Sequence, residues 1–191
     1  MKKTVQANIQ ANVQKWTTLS STVAFEHRWY QLRQDRVALP SGHIIDDFFV
    51  SERPDIATVL PITADDRVVF VRQYRHGVGK VLLELPAGTF ETGEEPLAVA
   101  KRELAEETGY TSEAWEALAT FYNSPVKQTN QIHLFKASNV QLTQAQQLDI
   151  TEDIEVVTKP IGDITRLIAS GELCVSGTLT ALFLGLGHKV L

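Results

Sequence analysis

One segment of 23 residues, from Gly88 to Tyr110, constrains this chain more than any other part of its sequence. Its charged residues and glycines stand at fixed offsets: Gly88, Glu94, Arg102, Glu103, Glu106, Glu107 and Gly109. Carboxylate oxygens are the ligands that hard divalent cations such as Mg²⁺ prefer. The layout can therefore build a carboxylate cluster for such cations, and a cluster of this kind suits cleavage of a phosphate anhydride.

The second half of this segment predicts a helix over residues 96–108. Pro96 suits the first turn of a helix, where its missing N–H would be unpaired in any case. Glu94 and Glu95 lie at the same end and favour the positive end of the helix dipole. Gly109 follows the last helical residue and tolerates the left-handed conformation found just past a helix end.

The acids of this helix fall beside its apolar face. That face is formed at spacings of three and four by Leu97, Ala100 and Leu104, which we expect to pack inward. Glu103 and Glu107 stand next to it, and Glu106 lies one step further round. Repulsion between like charges at this spacing destabilises a helix by about 0.2–0.5 kcal/mol per pair on an open surface. A bound cation would turn this repulsion into a net attraction. A solvated acidic helix face is the alternative, and the number of fixed positions argues against it.

The segment resembles the Nudix box, whose pattern is Gly, five residues, Glu, seven residues, then Arg-Glu-apolar-x-Glu-Glu-x-Gly-apolar. Every slot is filled, by Gly88, Glu94, Arg102, Glu103, Leu104, Glu106, Glu107, Gly109 and Tyr110. Nudix hydrolases cleave nucleoside diphosphates linked to another moiety and use Mg²⁺ or Mn²⁺. The resemblance therefore implies a metal-dependent pyrophosphohydrolase.

Further stretches look like the ADP-ribose pyrophosphatase branch of that family. They are VRQYRHG (Val71 to Gly77), ELPAG (Glu84 to Gly88) and NSPVKQTNQIHLFKA (Asn123 to Ala137). Members of the branch carry a proline about sixteen positions after the last box glycine, where this chain has Pro125. The likeness runs from about Trp16 to Leu186. It implies an α/β fold, a Nudix-type α/β/α sandwich with a mixed sheet plus N-terminal antiparallel strands, and it favours ADP-ribose as substrate, giving AMP and ribose 5-phosphate.

The resemblance also implies roles for the box residues. Glu103 and Glu107 would be metal ligands, Glu106 a ligand or an acid just outside the ligand shell, and the carbonyl of Ala87 a further oxygen. The catalytic group implied comprises Arg102, Glu103, Glu106 and Glu107. Arg102 would pair with a box carboxylate such as Glu94. The alternatives are that Arg102 is an ordinary surface cation and that Glu94 is only an acid at the start of the helix.

Substrate contacts implied by the resemblance lie outside the box. Arg75 and Glu84 match positions near the substrate, and a structural ion pair is the alternative for both. Trp29 and Tyr30 are candidates for stacking on adenine, and a place in the core is the alternative for either aromatic.

One departure from the branch concerns the catalytic base. Val126 follows Pro125 where a glycine is common, and Asn130 stands five positions after the proline, where a glutamate serves as base. An amide nitrogen cannot take a proton at neutral pH, so Asn130 cannot be that base. Gln128, Asn130 and Lys127 could contact phosphate or ribose instead. Alternative bases are Glu91, Glu106, Glu152 and Glu155, and a further alternative is activation of the water by the metal alone.

Length and composition bound the remaining possibilities. The 191 residues suggest a Nudix domain over 53–191 and an N-terminal helix and strand extension over 1–52, for which the family resemblance implies dimerisation. A net charge of −5 argues against a nucleic-acid partner. No apolar run reaches 18 residues and no secretion signal is evident, so we expect no membrane span and a cytoplasmic location. The family resemblance implies a homodimer that acts on a small-molecule nucleoside diphosphate. The sole cysteine, Cys174, is expected to be a small buried residue.

Periodicity and turn residues predict the other elements. A helix is expected within residues 3–16. Strands are expected at 21–38, 43–50, Ile56–Ile62, Arg67–Arg72, Val81–Leu85, 114–122 and 131–137, and helices at 160–170 and 177–187. Two functional alternatives remain open. The first is another enzyme of the class, acting on a nucleotide sugar, a dinucleoside polyphosphate or NADH. The second is a catalytically silent Nudix domain that senses a ligand.

Overall fold

The computed structural model describes residues 13–27 and 30–187, and these fall into two compact units. The first unit contains residues 13–53 together with 126–129, and the second contains 54–125 together with 130–187. Most of the helix expected within residues 3–16 and the candidate Trp29 lie outside the described residues.

The first unit is a three-stranded antiparallel sheet in the order β1-β2-β3. Its strands are β1 (Thr17–His27), β2 (Tyr30–Ala38) and β3 (Ile44–Glu52). The single strand expected over 21–38 is wrong, because the chain reverses between His27 and Tyr30 and forms two paired strands there. All eleven residues of β1 are exposed, and Tyr30 is exposed as well, so the core alternative for this tyrosine is also wrong.

The second unit is built on a seven-stranded mixed sheet. Its strands are β4 (Ile56–Ile62), β5 (Arg67–Arg75), β6 (Lys80–Glu84), β7 (Ala87–Thr89), β9 (Ala114–Tyr122), β10 (Gln131–Ser138) and β12 (Ile154–Pro160). The order is β12-β5-β4-β10-β9, with β6 paired to β5 and β7 paired to β4, and β10 is parallel to β4. Two short strands, β8 (Tyr110–Thr111) and β11 (Gln141–Leu142), form a separate pair.

Helices cover both faces of this sheet. On one face α1 (Pro96–Thr108) packs Val99, Ala100 and Leu104 against apolar residues of the strands such as Val59 and Val69. On the other face lie α2 (Ile164–Ala169), preceded by a 3₁₀ turn at Ile161–Asp163, and α3 (Ser176–Leu186). Helices on both faces of a mixed sheet make an α/β/α sandwich, which confirms the predicted fold class together with the N-terminal antiparallel strands.

Two burial predictions are wrong. Leu97 lies in the first turn of α1 and is 37% exposed, while Val99 is fully buried. Cys174 is exposed, and its neighbour Leu173 fills the core position instead. None of the helices in the described ranges combines the length and the apolar character that crossing a bilayer would require.

Candidate active site

The helix α1 is held in place at its C-terminal end by Gly109. This residue adopts φ 74°, and its N–H donates to the carbonyl of Ala105 at 2.9 Å. A Cβ atom at Gly109 would lie 2.2 Å from the carbonyl oxygen of Gln144, so only glycine fits between the helix and the loop that follows β11. The helix end therefore fixes where its last two turns, which carry Glu103, Glu106 and Glu107, meet the rest of the domain.

Glu107 is the most deeply buried of the box acids, with only 3% of its surface exposed. Its Oε2 accepts a hydrogen bond from the N–H of Ala87 at 2.9 Å. Burial raises the pKa of Glu107 to about 8, and the nearby carboxylates of Glu103 and Glu152 act in the same direction. Arg75 and the Ala87 N–H oppose this rise without cancelling it. An unpaired carboxylate in such surroundings favours either a proton or a cation beside it.

Arg102 is the cation that the chain places among the box acids. Its Nε and Nη2 donate to the two oxygens of Glu94 at 3.1 and 3.0 Å, which is the predicted pair. Its Nη1 donates to Glu103 Oε1 at 2.7 Å and to Glu106 Oε2 at 3.0 Å. The hydrogen bond from Arg102 lowers the pKa of Glu94, whereas burial raises the pKa of Glu103 despite the same neighbour. Arg102 thus links the start of the box to its acidic end.

Gly88 brings the backbone against this cluster. A Cβ atom built at Gly88 would lie 1.8 Å from the carboxyl carbon of Glu103. Because Ala87 and Gly88 belong to β7, which pairs with β4, the close approach is fixed by the sheet. The first box glycine is therefore required for the carboxylate of Glu103 to lie over the β7 backbone.

The acids open onto a polar cavity of about 400 Å³. Its lining residues are Ala87, Gly88, Thr89, Glu91, Arg102, Glu103, Glu106, Gln147, Asp149 and Glu152. The structure thus gathers box residues, three of the four alternative bases (Glu91, Glu106 and Glu152) and a stretch of the loop between β11 and β12. Sequence reasoning missed Gln147 and Asp149, because no local pattern shows that this loop returns to α1.

Another alternative base, Glu155, does not reach this cavity. In β12 it is paired across the strands with Arg72, and their side chains form an ion pair at 2.7 Å. Arg72 alternates with Val71 and lies on the same sheet face as Phe70, which packs toward α2 and α3. Glu155 therefore lies on the sheet face opposite to the box helix.

Arg75 and Glu84 form an ion pair between β5 and β6. Arg75 donates from Nε and Nη2 to one oxygen of Glu84, at 2.9 and 2.6 Å. Glu84 is buried, whereas the Arg75 side chain is 45% exposed. The alternative of a structural ion pair is present in the fold, and a contact of either residue with substrate stays a prediction.

Of the other predicted contacts, Asn130 belongs to the second unit and does not line the cavity of the box acids. Asn130 is buried, and its Oδ1 has no hydrogen-bond partner within the described ranges. Gln128 and Lys127 belong to the first unit, where Gln128 forms a β-bridge with Ser51 and the Lys127 ammonium lies 4.1 Å from the ring centre of Phe48.

The side chains around the cavity decide whether a divalent cation could bind there. Within the described residues no three His, Cys, Asp or Glu side chains are gathered as ready metal ligands, and Arg102 lies between Glu103 and Glu106. The available donors are nevertheless all oxygens, which suit Mg²⁺ or Mn²⁺ in kind. The side chain of Glu106 is more than a third exposed, and the carboxylate of the buried Glu107 accepts from the N–H of Ala87. The residues therefore fit such an ion chemically.

Comparisons with known proteins agree with this geometry. The family model "NUDIX domain" matches residues 52–164, more than half of the chain, and "Nucleoside diphosphate sugar hydrolase N-terminal domain" matches residues 16–51. The chain is 32% identical to "ADP-ribose pyrophosphatase" of Bacillus subtilis (strain 168) and 33% identical to "Methanol dehydrogenase activator" of Bacillus methanolicus. Each alignment covers 86% of this chain and 89% of the relative.

A solved structure extends the comparison to the whole fold. The crystal structure of an "ADP compounds hydrolase" superposes with a TM-score of 0.80 at 21% identity, covering 92% of this chain and 94% of that one. At this identity the likeness shows a shared fold. The family match, the complete box and the relatives together confirm the resemblance inferred from the sequence. The chain belongs to the Nudix hydrolase family, whose members generally use divalent metal ions.

Proposed function

We propose that this Nudix hydrolase cleaves the pyrophosphate bond of ADP-ribose with Mg²⁺ or Mn²⁺, giving AMP and ribose 5-phosphate. The observation that carries the proposal is the convergence of Glu103, Glu106 and Glu152 on one polar cavity beside the buried Glu107. The substrate is favoured by the likeness to a relative named as an ADP-ribose pyrophosphatase.

The proposed metal ligands are Glu103, Glu106, Glu107 and the carbonyl of Ala87. A bound divalent cation would supply neutralisation of the diphosphate charge and a lower pKa for an attacking water. The chain's own part is to hold these oxygens together against their repulsion. Arg102 does so for Glu94, Glu103 and Glu106, and the N–H of Ala87 does so for Glu107.

Glu152 is the proposed general base. It lines the same cavity as Glu103 and Glu106, and its carboxylate is close enough to raise the pKa of both Glu103 and Glu107. It would take a proton from water as the water oxygen bonds to phosphorus, and the bridging P–O bond breaks toward the leaving phosphate. Glu91 also lines the cavity and is the next candidate, whereas Glu155 lies on the opposite face of the sheet.

Substrate contacts are proposed for residues outside the cavity wall. Arg75 and Glu84 would contact the diphosphate or ribose, Trp29 would stack on the adenine, and Gln128 and Asn130 would bind phosphate or ribose. The unpaired, buried Oδ1 of Asn130 supports a role as acceptor, because such atoms are costly without a partner.

The proposal extends to the organisation of the chain. Residues 53–191 would be the catalytic domain, and residues 1–52 would form the contact of a cytoplasmic homodimer. The dimer is supported by β1, whose residues are all exposed and include the large apolar Leu19, Val23 and Phe25. The net charge of −5 supports a small-molecule substrate and no nucleic-acid partner.

A nucleotide panel assayed with Mg²⁺ tests the proposal, with phosphatase-coupled phosphate release as the readout. ADP-ribose is expected to give the highest kcat/KM, with AMP and ribose 5-phosphate as products. Preference for another nucleotide sugar, a dinucleoside polyphosphate or NADH would replace the substrate assignment. Absence of turnover on every diphosphate would contradict an enzyme and favour a ligand-sensing domain.

A matched pair of variants tests the base. Glu152→Gln is expected to lower kcat at least about 10²-fold, since general-base catalysis contributes that much. Glu155→Gln, three positions along the chain and on the opposite sheet face, is expected to stay within about threefold of wild type. Equal, small effects of both substitutions would remove Glu152 from the mechanism.

A further inference from the structure

The loop of residues 143–153 brings Glu152 to the cavity, although it contains no helix or strand of its own. It connects β11 to β12, and it supplies Gln147, Asp149 and Glu152 to the cavity wall. A loop with so little regular structure needs specific contacts to hold a carboxylate in one place. The hydrogen bonds of its glutamines show what those contacts are.

The last backbone carbonyl groups of a helix lack the N–H partners that further helical residues would supply. In α1 the carbonyl of Ala105 accepts from the N–H of Gly109, just past the helix end. Loop residues 144–147 supply donors to three successive carbonyls there. The side-chain amide of Gln144 donates to Ala105 at 3.4 Å, and the backbone N–H of Gln147 donates to Glu106 at 2.9 Å. The side-chain amide of Gln146 donates to Glu107 at 2.7 Å. The loop thus caps the same helix turn that carries the box acids.

Gln146 differs from Gln144 because its amide makes a second contact. Its Nε2 also donates to the carbonyl of Ile154 at 3.2 Å. One side chain therefore joins the end of the box helix to the first residue of β12, two residues after Glu152. Between these two carbonyls, residues 149–152 form a turn with two hydrogen bonds of its own. The N–H of Glu152 donates to the carbonyl of Asp149 at 2.9 Å, and the N–H of Asp149 donates to Oε2 of Glu152 at 3.0 Å.

We infer that Gln146 is a positioning residue for Glu152. By joining the carbonyls of Glu107 and Ile154, it sets the distance between the acidic turn and the box helix. The hydrogen bond from the N–H of Asp149 to Oε2 of Glu152 orients this carboxylate within the turn. The inference rests on the proposed function, because Glu152 is the residue that is proposed there as the general base.

Removal of the bridge gives the first test, and Gln144→Ala is the matched control in the same loop. Gln146→Ala is expected to lower kcat about tenfold and to change KM less than about threefold, which is the loss that one or two hydrogen bonds permit. Gln144→Ala removes a longer contact and no bridge, so its kcat should stay within about threefold of wild type. Equal effects of the two substitutions would overturn the inference.

A double-mutant cycle asks whether Gln146 acts through Glu152. If it does, adding Gln146→Ala to Glu152→Gln should lower kcat by no more than about twofold further. A further tenfold loss would mean that Gln146 acts by another route, and the inference would fall while the proposed base stands. Unchanged activity of Glu152→Gln alone would overturn both the base and its positioning.

Amide hydrogen exchange tests the same bridge without any turnover. In Gln146→Ala the N–H groups of Gln147 and Glu152 should exchange at least about tenfold faster than in Gln144→Ala, because the hydrogen bonds that they make in the loop open more often. Amides in the first turns of α1 should exchange alike in both variants. Equal protection of Gln147 and Glu152 in the two variants would overturn the inference even in a protein that hydrolyses nothing.

Discussion

Glu107 is the most deeply buried of the box acids, and its carboxylate lies against the β7 backbone that lines the cavity. Its carboxyl has a pKa raised to about 8 by burial, so the ionised form is disfavoured in the absence of a cation. The same residue is tied to β7 through the N–H of Ala87. A negative charge on Glu107 therefore lowers the stability of the metal-free fold, while it serves metal binding and catalysis. Its effects on stability and on activity can thus be measured separately.

Substitution of Glu107 by glutamine tests that separation. Glu107→Gln is expected to lower kcat at least about 10²-fold, since metal catalysis is worth several kcal/mol. The metal-free variant should unfold at the wild-type temperature or slightly above it, because a neutral amide is cheaper to bury than a carboxylate and can still accept from Ala87. Activity assays and thermal unfolding measure the two effects, with the exposed Glu113→Gln as control. Near-normal activity would count against a role for Glu107 at the metal.

The ion pair of Arg75 with Glu84 predicts a stability effect. Arg75→Met would leave the carboxylate of Glu84 buried without its partner, which is expected to cost about 1–3 kcal/mol of unfolding free energy. Chemical denaturation measures this cost, and the exposed ion pair of Arg36 with Asp46, broken by Arg36→Met, provides a control below about 1 kcal/mol. An unchanged stability combined with a raised KM would mean that Arg75 serves the substrate and not the fold.

The box helix owes its position to the glycine at its end. Gly109→Ala would strain a residue at φ 74° and also force a methyl group against the carbonyl of Gln144. Gly171, which follows α2 at φ 77° with open space around it, provides the matched control. Gly171→Ala is expected to cost about 1–2 kcal/mol from the left-handed backbone alone, and Gly109→Ala at least about 1 kcal/mol more from overpacking. Equal costs by denaturant titration would show that the loop after β11 does not confine the helix end.

Helices and strands whose ends are marked by proline, glycine or turn residues could be predicted from the sequence. Pro96 and Gly109 mark the two ends of α1, which agree with its observed bounds. The bounds of β4, Ile56–Ile62, also agree with the prediction. Both predictions rest on signals between residues close in sequence, namely the spacing of apolar residues and the residues that favour turns and helix ends. The exposed Leu97 shows the limit of this reasoning. Helical spacing gives a direction around the axis, but it does not tell whether the sheet extends as far as the first turn.

Features that depend on distant contacts could not be predicted. The contacts of Gln144, Gln146 and Gln147 with α1 join residues about 40 positions apart, as in the bond of Gln146 to Glu107. The strand β12 pairs with β5 across an even longer separation, as between Ile154 and Gln73. No local pattern encodes such a meeting. For the same reason the sequence could not separate Glu152 from Glu155. In the structure Glu152 lies in the loop before β12 and lines the cavity, whereas the strand register places Glu155 on the sheet face opposite to α1.

For the molecule as a whole, the exposed strand β1 leads to a prediction about assembly. Sedimentation at micromolar concentration is expected to give about twice the 21.2 kDa chain mass, because a homodimer would cover Val23 and Phe25. The double variant Val23→Asp with Phe25→Asp should sediment as one chain, whereas Thr22→Asp on the same strand should stay dimeric. A single-chain mass for the wild type at every concentration would refute the dimer.

Calorimetric titration with Mg²⁺ and Mn²⁺ tests the central claim, that the box acids of α1 form a cation site. The account predicts metal uptake by the wild-type protein, strengthened by a diphosphate substrate analogue and strongly weakened in Glu107→Gln. Absence of binding heat for either ion, with and without nucleotide, would contradict it.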